Sequence, residues 1–248
     1  MMASSFSLTE TLRILSHVLL PVRCASCDRP LAGDPVPFFC RPCWAQLTPI
    51  SGPECARCGK PFASPISTQH SPGLVCADCH RHPPAYARAW SCYRYEAPLQ
   101  DAIQLLKYQR KVALASPLAA LFAHRPVPPS AFDLIMPVPL HADRLREREF
   151  NQALLLADRL ATALNLPLSY DHLIRAKATA PQSELNRAAR LQNLRRTFAV
   201  RAPDDIQGKR ILLVDDVFTT GTTVNECAKV LRKAGAGPVS VCTVARAV

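Results

Sequence analysis

The sequence predicts an α/β protein: a parallel sheet with flanking helices over residues 90–248, preceded by a small cysteine-rich, metal-binding domain over 20–82. Three observations predict it. Four C-x-x-C pairs fall between Cys24 and Cys79, a spacing that suits metal ligation better than a disulfide framework. Ile211-Leu212-Leu213-Val214 and Val239 to Ala245 are short apolar runs rich in branched residues, the pattern of strands buried on both faces of a parallel sheet. Helically spaced segments lie around them, including Val224 to Ala234, which ends at Gly235.

The bulk numbers fit this division. The 248 residues fill one large domain or two smaller ones, and a 48% hydrophobic fraction is enough for a packed core. With 23 Pro against 8 Gly, many turns are fixed. Thirty basic residues against 19 acidic ones point to anionic partners. If eight thiolates hold two Zn²⁺, those centres carry about −4 together, and the formal +11 falls to about +7. No apolar run reaches 18 residues, so no transmembrane helix is predicted.

In chain order, Leu8, Leu12, Leu15 and Leu19 share one helical face, predicting an amphipathic helix over 1–19 docked on the protein. A secretory signal does not fit: the segment lacks a basic start, and Glu10, Arg13 and His17 interrupt its apolar run. A membrane-surface helix is the weaker alternative, because its polar side lacks basic residues. The cysteine usage implies a reducing compartment, and the cytoplasm is the expected location.

Cys24-x-x-Cys27, Cys40-x-x-Cys43, Cys55-x-x-Cys58 and Cys76-x-x-Cys79 follow. Each pair can present two thiolates to one tetrahedral Zn²⁺, so eight ligands make two closed Cys₄ sites, which are structural because no position is left for water. Sequential wiring joins Cys24, Cys27, Cys40 and Cys43, then Cys55, Cys58, Cys76 and Cys79; cross-brace wiring alternates the pairs. The 11-residue gap between Cys43 and Cys55 permits either, and the sequential arrangement is favoured. A redox C-x-x-C would need a thioredoxin-like βαβ setting that this Pro-rich segment lacks. An iron–sulfur cluster is a further alternative. Cys92, Cys227 and Cys242 stand alone and read as buried thiols.

Ala89 to Tyr95 reads as the entering strand of the second domain. Pro98 opens a helix with Leu99, Ile103 and Leu106 on one face, and a second helix is expected from Val112 to His124. Asp133-Leu134-Ile135-Met136 reads as a core strand stopped by Pro137-Val138-Pro139. A rigid loop after a parallel strand is where α/β folds bind ligands. Arg144, Arg146 and Arg148 come next, read either as anion contacts or as the solvated start of a helix that runs on to Leu164. From His172 to Arg201 there are seven basic residues, Arg195 and Arg196 among them, and one acid, Glu184. The polar stretch over 176–186 suits a mobile lid over phosphates, and a solvated arginine-rich helix over 185–194 is compatible with it. Phe198-Ala199-Val200 reads as a strand.

The chain is organised around residues 211–223. After the buried strand come Asp215 and Asp216, then the hydroxyl-rich loop Thr219-Thr220-Gly221-Thr222-Thr223, then a helix. Loop N–H groups, Thr hydroxyls and a helix N-terminus together favour phosphate. The two carboxylates are placed to take sugar hydroxyls or a divalent cation. The alternative is an ordinary βα turn with surface acids.

This 13-residue order resembles the phosphoribosyl pyrophosphate (PRPP) signature of type I phosphoribosyltransferases. The resemblance implies that Asp215 and Asp216 hold the ribose 2′- and 3′-hydroxyls and that Thr219, Thr220, Gly221, Thr222 and Thr223 hold the 5′-phosphate. It also implies that Pro137, Val138, Pro139 and Leu140 form a loop binding pyrophosphate through backbone N–H groups, with Mg²⁺ accompanying PRPP. Relatives specific for 6-oxopurines carry Asp at the position of Thr219, where it acts on the base; Thr219 argues against purine salvage of that kind.

A longer series is similar to the ComF family of competence proteins over roughly residues 20–246. It comprises the Cys pairs, Leu106-Lys107-Tyr108, Met136-Pro137-Val138-Pro139-Leu140, Phe150-Asn151-Gln152, Gln182-Ser183 with Arg187 and Asn193, and the Asp215 motif. In that family Arg-Gly usually precedes Phe-Asn-Gln; here it is Arg148-Glu149. The resemblance implies natural transformation and use of external DNA, acting on single-stranded DNA in the cytoplasm. A DNA-uptake helicase or other competence proteins would be its partners. It adds Arg148, Lys177, Gln182, Arg187 and Asn193 as the basic, flexible part of the PRPP site.

Three functions follow as expectations: a PRPP-binding protein in single-stranded DNA processing, a phosphoribosyltransferase of nucleotide salvage, and a PRPP-sensing nucleic-acid binder. Arg195 and Arg196 are the candidate DNA contacts. Tyr86, Trp90, Tyr93 and Tyr95 are available for base stacking, although core packing is their commoner use. No residue identifies an acceptor, and the sequence leaves the oligomeric state open.

Overall fold

The computed structural model describes residues 22–31, 33–62, 73–175 and 197–248. The amphipathic helix expected over 1–19 lies outside them, as do Lys177, Gln182, Arg187, Asn193, Arg195 and Arg196 with the expected lid. In chain order the elements are α1 (Arg41–Trp44), α2 (Ala77–Arg81), β1 (Arg88–Arg94), α3 (Leu99–Gln109), α4 (Ala115–Ala120), β2 (Leu134–Pro137), α5 (Ala142–Arg148), α6 (Gln152–Leu164), β3 (Leu173–Arg175), β4 (Phe198–Val200), β5 (Ile211–Phe218), α7 (Thr222–Lys233) and β6 (Val239–Arg246).

Four strands form one parallel sheet in the order β1-β6-β5-β2, so the central motif sits on an inner strand as expected. Along β5 the side chains alternate between two cores. Leu212 and Val214 pack with Cys242, Val244 and α6, whereas Ile211 and Leu213 pack with Val239, Val241 and α7. All four β5 residues are fully buried. At about 1.5–3 kcal/mol for each such side chain, this alternation pins the register, because a one-residue slip would exchange the two faces.

Two expectations change. The acidic pair was expected where the strand ends, but β5 runs on to Phe218, because β6 stays beside it and pairs Val217 with Ala245 and Phe218 with Arg246. The second helix is broken into a 3₁₀ turn (Val112–Leu114), α4 and another 3₁₀ turn (Leu121–His124). Pro117 accounts for the start: without an N–H it is tolerated only in the first turn of an α-helix. Phe198-Ala199-Val200 is a strand as expected, and it pairs antiparallel with β3 in a separate two-stranded sheet.

The two cysteine knuckle pairs share one plan. In each, the third cysteine (Cys40, Cys76) is the N-cap of a short helix that carries the fourth. The linker between them runs along the edge of β1: the Ile50 N–H donates to the Cys92 carbonyl and the Arg94 N–H to the Thr48 carbonyl, both at 2.9 Å. This route covers an otherwise open sheet edge and delivers one knuckle pair to each face. Cys24, Cys40 and Cys43 share a core with Leu99, Ile103 and Leu106 of α3. Cys55, Cys58, Cys76 and Cys79 share the opposite core with Tyr86 and Phe218.

Candidate functional site

The cysteines settle their wiring by proximity. The sulfurs of Cys24, Cys27, Cys40 and Cys43 all lie within 4.8 Å of one another, and so do those of Cys55, Cys58, Cys76 and Cys79. This is the sequential arrangement. A tetrahedron with metal–sulfur arms of about 2.3 Å has edges of about 3.8 Å. Cys27 and Cys40 are 3.7 Å apart and Cys58 and Cys76 3.8 Å, so the residues fit Zn²⁺. Backbone N–H groups support the sulfurs: Cys40 donates to Cys24 Sγ (3.4 Å) and Cys76 to Cys55 Sγ (3.3 Å). Four mutually adjacent sulfurs suit one ion better than a redox pair.

The acidic pair lies at the carboxyl end of the sheet, where ligands of open α/β folds sit. The two carboxylates differ. Asp216 is 4% exposed, and Lys107 Nζ from α3 donates to its Oδ1 at 2.8 Å. Its Oδ2 is buried and accepts no hydrogen bond among the described residues. Such an oxygen costs stability until a donor reaches it. Asp215 is partly exposed and accepts the Asp216 N–H at Oδ1 (2.9 Å). Burial, then the neighbouring Asp216 charge, push its carboxyl up to about 8.

The loop beyond β5 turns at Gly221, whose φ of +74° belongs to the left-handed region. A Cβ there would also collide with the Phe218 ring. Two reasons thus demand glycine. Thr219 and Thr220 are exposed, and the Thr220 and Thr222 hydroxyls lie 2.8 Å apart over the start of α7, with Thr223 in its first turn. Thr219, Thr220, Gly221, Thr222 and Thr223 therefore form one hydroxyl-rich turn onto a 12-residue helix, exposed at Thr219 and Thr220 and half-buried beyond them.

On the neighbouring strand, Pro137 ends β2 opposite Val214, and the Val138 N–H donates to the Val214 carbonyl (2.9 Å). Proline has no N–H, so of Pro137, Val138, Pro139 and Leu140 only Leu140 has a backbone N–H left to offer a ligand. The expected row of backbone donors narrows to that one. Asn151 holds the loop in place: its Nδ2 donates to the Val138 carbonyl (3.0 Å), and its Oδ1 caps α6 by accepting the Ala153 N–H (3.0 Å).

Arg144 and Arg146 are exposed, as a solvated helix start would have them, but Arg148 is not. It is 7% exposed, stacks on Tyr108 at 5.0 Å and donates to Gln152 Oε1 (3.2 Å). Its Nε has no acceptor, and it makes no ion pair among the described residues. A buried guanidinium without a carboxylate is a ready anion partner. Arg175, over the Phe198 ring at 5.6 Å, likewise has an unpartnered Nε. Glu149 explains the family's glycine. It sits at φ +67° as the C-cap of α5, and its carboxylate turns away to Arg110 (2.8 Å).

The structure therefore gathers Asp215, Asp216, the threonine loop, the Pro137–Leu140 loop and Arg148 around the end of the sheet. Tyr86, Trp90 and Tyr93 pack against Phe218, Phe132 and His124, and Tyr95 against the core; the exposed aromatic beside the site is Tyr108. Three contributors carried no role in the sequence reading: Lys107, Asn151 and Arg246. Asn immediately before a helix was the readable signal for Asn151. Lys107 stood in the Leu106-Lys107-Tyr108 part of the family-like series without a role, and Arg246, brought in from a distant position, left no signal.

Comparison with known proteins agrees with this geometry. Residues 15–80 match the double zinc ribbon domain, and residues 151–247 match the phosphoribosyl transferase domain. The chain is 36% identical over 193 residues to the DNA utilization protein YhgH of Salmonella typhimurium, covering 75% of this chain and 81% of that one. It is 33% identical over 216 residues to competence protein F of Haemophilus influenzae (84% and 90% covered) and 28% identical over 242 residues to competence protein ComFC of Bacillus subtilis (90% and 94%). A double zinc ribbon wrapped onto a phosphoribosyltransferase-type sheet, with relatives of these names along most of its length, places the chain in the ComF/YhgH family of competence and DNA-utilization proteins.

Proposed function

We propose that the chain binds Mg²⁺-PRPP at the carboxyl end of β5 and uses that site in the processing of incoming single-stranded DNA. The observation that carries the binding is Asp216: a buried carboxylate oxygen without a donor, one residue from Asp215 and three from the threonine loop. A ribose hydroxyl is a donor of the right kind. The 5′-phosphate goes to the N–H groups and hydroxyls of Thr219, Thr220, Gly221, Thr222 and Thr223. Arg148 and the Leu140 N–H face the pyrophosphate. Mg²⁺, when bound, neutralises pyrophosphate charge.

In the transfer reaction the bond from ribose C1 to the pyrophosphate oxygen breaks, its electron pair leaves with pyrophosphate, and an acceptor's nucleophile bonds to C1. The chain's part is positioning and charge. Asp216, fixed by Lys107, holds the sugar, and the arginines stabilise the leaving group. Pyrophosphate release from PRPP, measured with bases, nucleotides and single-stranded DNA as acceptors, tests this. Release above the acceptor-free rate, lost in Asp216→Asn, is expected; no release with any acceptor would confine the site to binding.

The DNA role, and with it the cytoplasmic location, is supported by the names of the relatives and by the basic stretch containing Arg195 and Arg196. If that stretch tracks a phosphate backbone, single-strand affinity falls with salt at a slope of about −0.7 per neutralised phosphate. Arg195→Ala with Arg196→Ala should lower both affinity and slope. If it serves only PRPP, the double variant loses PRPP affinity and keeps DNA binding.

A further inference from the structure

Resting on that sugar-phosphate reading, we propose that Arg246 is a positioning residue that ties the second Cys₄ centre to the phosphate loop. The metallated centre and the ligand-ready loop then form one cooperative unit.

A chain of direct contacts supports it. Arg246, the last residue of β6, is 5% exposed. Its Nη1 donates to the Cys58 carbonyl at 2.7 Å, and its Nη2 lies 3.8 Å from Cys58 Sγ. The same guanidinium stacks on the Phe218 ring, 4.4 Å from its centroid. That ring occupies the space a side chain at position 221 would need, so it forms the floor under Gly221. From Cys58 to the loop the contacts run directly through Arg246 and Phe218. A second strut runs beside the first: the Ala85 N–H, just beyond the second ribbon, donates to Asn225 Oδ1 in α7 at 2.7 Å.

Charge explains why an arginine can be buried here. Arg246 pairs with no carboxylate among the described residues, and its Nε has no acceptor. Burying an unpaired guanidinium is costly. A Cys₄ centre loaded with Zn²⁺ carries about −2, and it lies on the other side of the Cys58 contact. The zinc-bound thiolates are thus the counter-charge that keeps Arg246 on Phe218. Opening of the knuckle frees Cys58, releases the guanidinium and removes the floor beneath Gly221. Coupling of this kind is reciprocal, so a ligand that orders the loop must also hold the knuckle closed.

The test follows alkylation of the two-zinc protein by N-ethylmaleimide, resolved by peptide mass spectrometry, with and without saturating Mg²⁺-PRPP. PRPP should slow modification of Cys55, Cys58, Cys76 and Cys79 about fivefold or more, the lower end of ordinary site coupling. Arg246→Ala should abolish that slowing while Cys24, Cys27, Cys40 and Cys43 react at the wild-type rate; Arg246→Lys should restore part of it. Phe218→Leu, which keeps apolar bulk but removes the flat ring, should also lose the protection. The wild-type comparison decides even if a variant does not fold. Binding of PRPP by calorimetry with no change at the second centre overturns the coupling. So does protection that survives in Arg246→Ala. Failure of wild-type protein to bind PRPP at all overturns the sugar-phosphate reading and the coupling with it.

Discussion

Replacing Lys107 by Met would leave the Asp216 carboxylate buried with no cation beside it. The two groups are 2.8 Å apart, with side-chain exposures of 16% and 5%. At an effective dielectric of about 20, charges at that separation attract by about 6 kcal/mol, most of it offset by the cost of desolvating both. Removing one partner of a buried pair typically costs 3–5 kcal/mol, because the remaining charge stays buried. Slight access to water at Lys107 places the expected loss near 3 kcal/mol. Adding Asp216→Asn removes the stranded charge, so the double variant should return to within about 1.5 kcal/mol of the wild type. Urea unfolding at fixed saturating zinc, followed by tryptophan fluorescence, measures all four corners of the cycle. A Lys107→Met loss below about 1 kcal/mol, or a double variant as unstable as the sum of the singles, would show that Asp216 does not depend on Lys107.

Other expectations follow the same logic. Glu149→Gly should raise stability by about 1 kcal/mol by relieving left-handed backbone strain, less a few tenths for the exposed pair with Arg110; a lower melting temperature would contradict it. Asp215, raised to about 8, keeps in the folded state a proton that the unfolded chain has lost. Its contribution therefore makes stability fall as pH rises from about 4 to 8, by at most about 1.4 kcal/mol per pH unit. Subtracting the pH profile of Asp215→Asn should reveal the fall, and parallel profiles would rule it out. Freshly purified protein should hold two zinc ions per chain and Cys24→Ser one, with destabilisation around the first ribbon; fewer than one in the wild type would reject the zinc assignment.

What was legible in the sequence was local. Residues 211–214 announced a buried strand because branched apolar residues followed one another without interruption, and Thr219 to Thr223 announced a turn into a helix because Gly221 and the threonines beside it are neighbours in the chain. Cysteine spacing predicted four knuckles and favoured their sequential pairing while leaving the cross-brace open, and the linker along β1 accompanies the sequential arrangement. The break at Pro117 was readable in principle, since proline belongs to a first turn. The continuation of β5 to Phe218 was not, because β6 supplies the hydrogen bonds. Longest-range of all are the contacts that tune the site: Lys107 reaches Asp216 across 109 positions and Arg246 reaches Cys58 across 188. Nothing near Lys107 or Arg246 in the chain records its partner, because the packing of α3 and of the second knuckle onto the sheet brings each pair together.

On the proposed reading, PRPP sits over the carboxyl end of β5. Backbone amide resonances of the two-zinc protein, followed during titration with Mg²⁺-PRPP, test it most directly. Saturable shifts are expected at Asp216, Thr219, Thr220, Gly221, Thr222 and Thr223, with little change at the far end of α6 around Thr162, and a weakened response in Asp216→Asn. Saturable shifts elsewhere with Thr219 to Thr223 unmoved would contradict it.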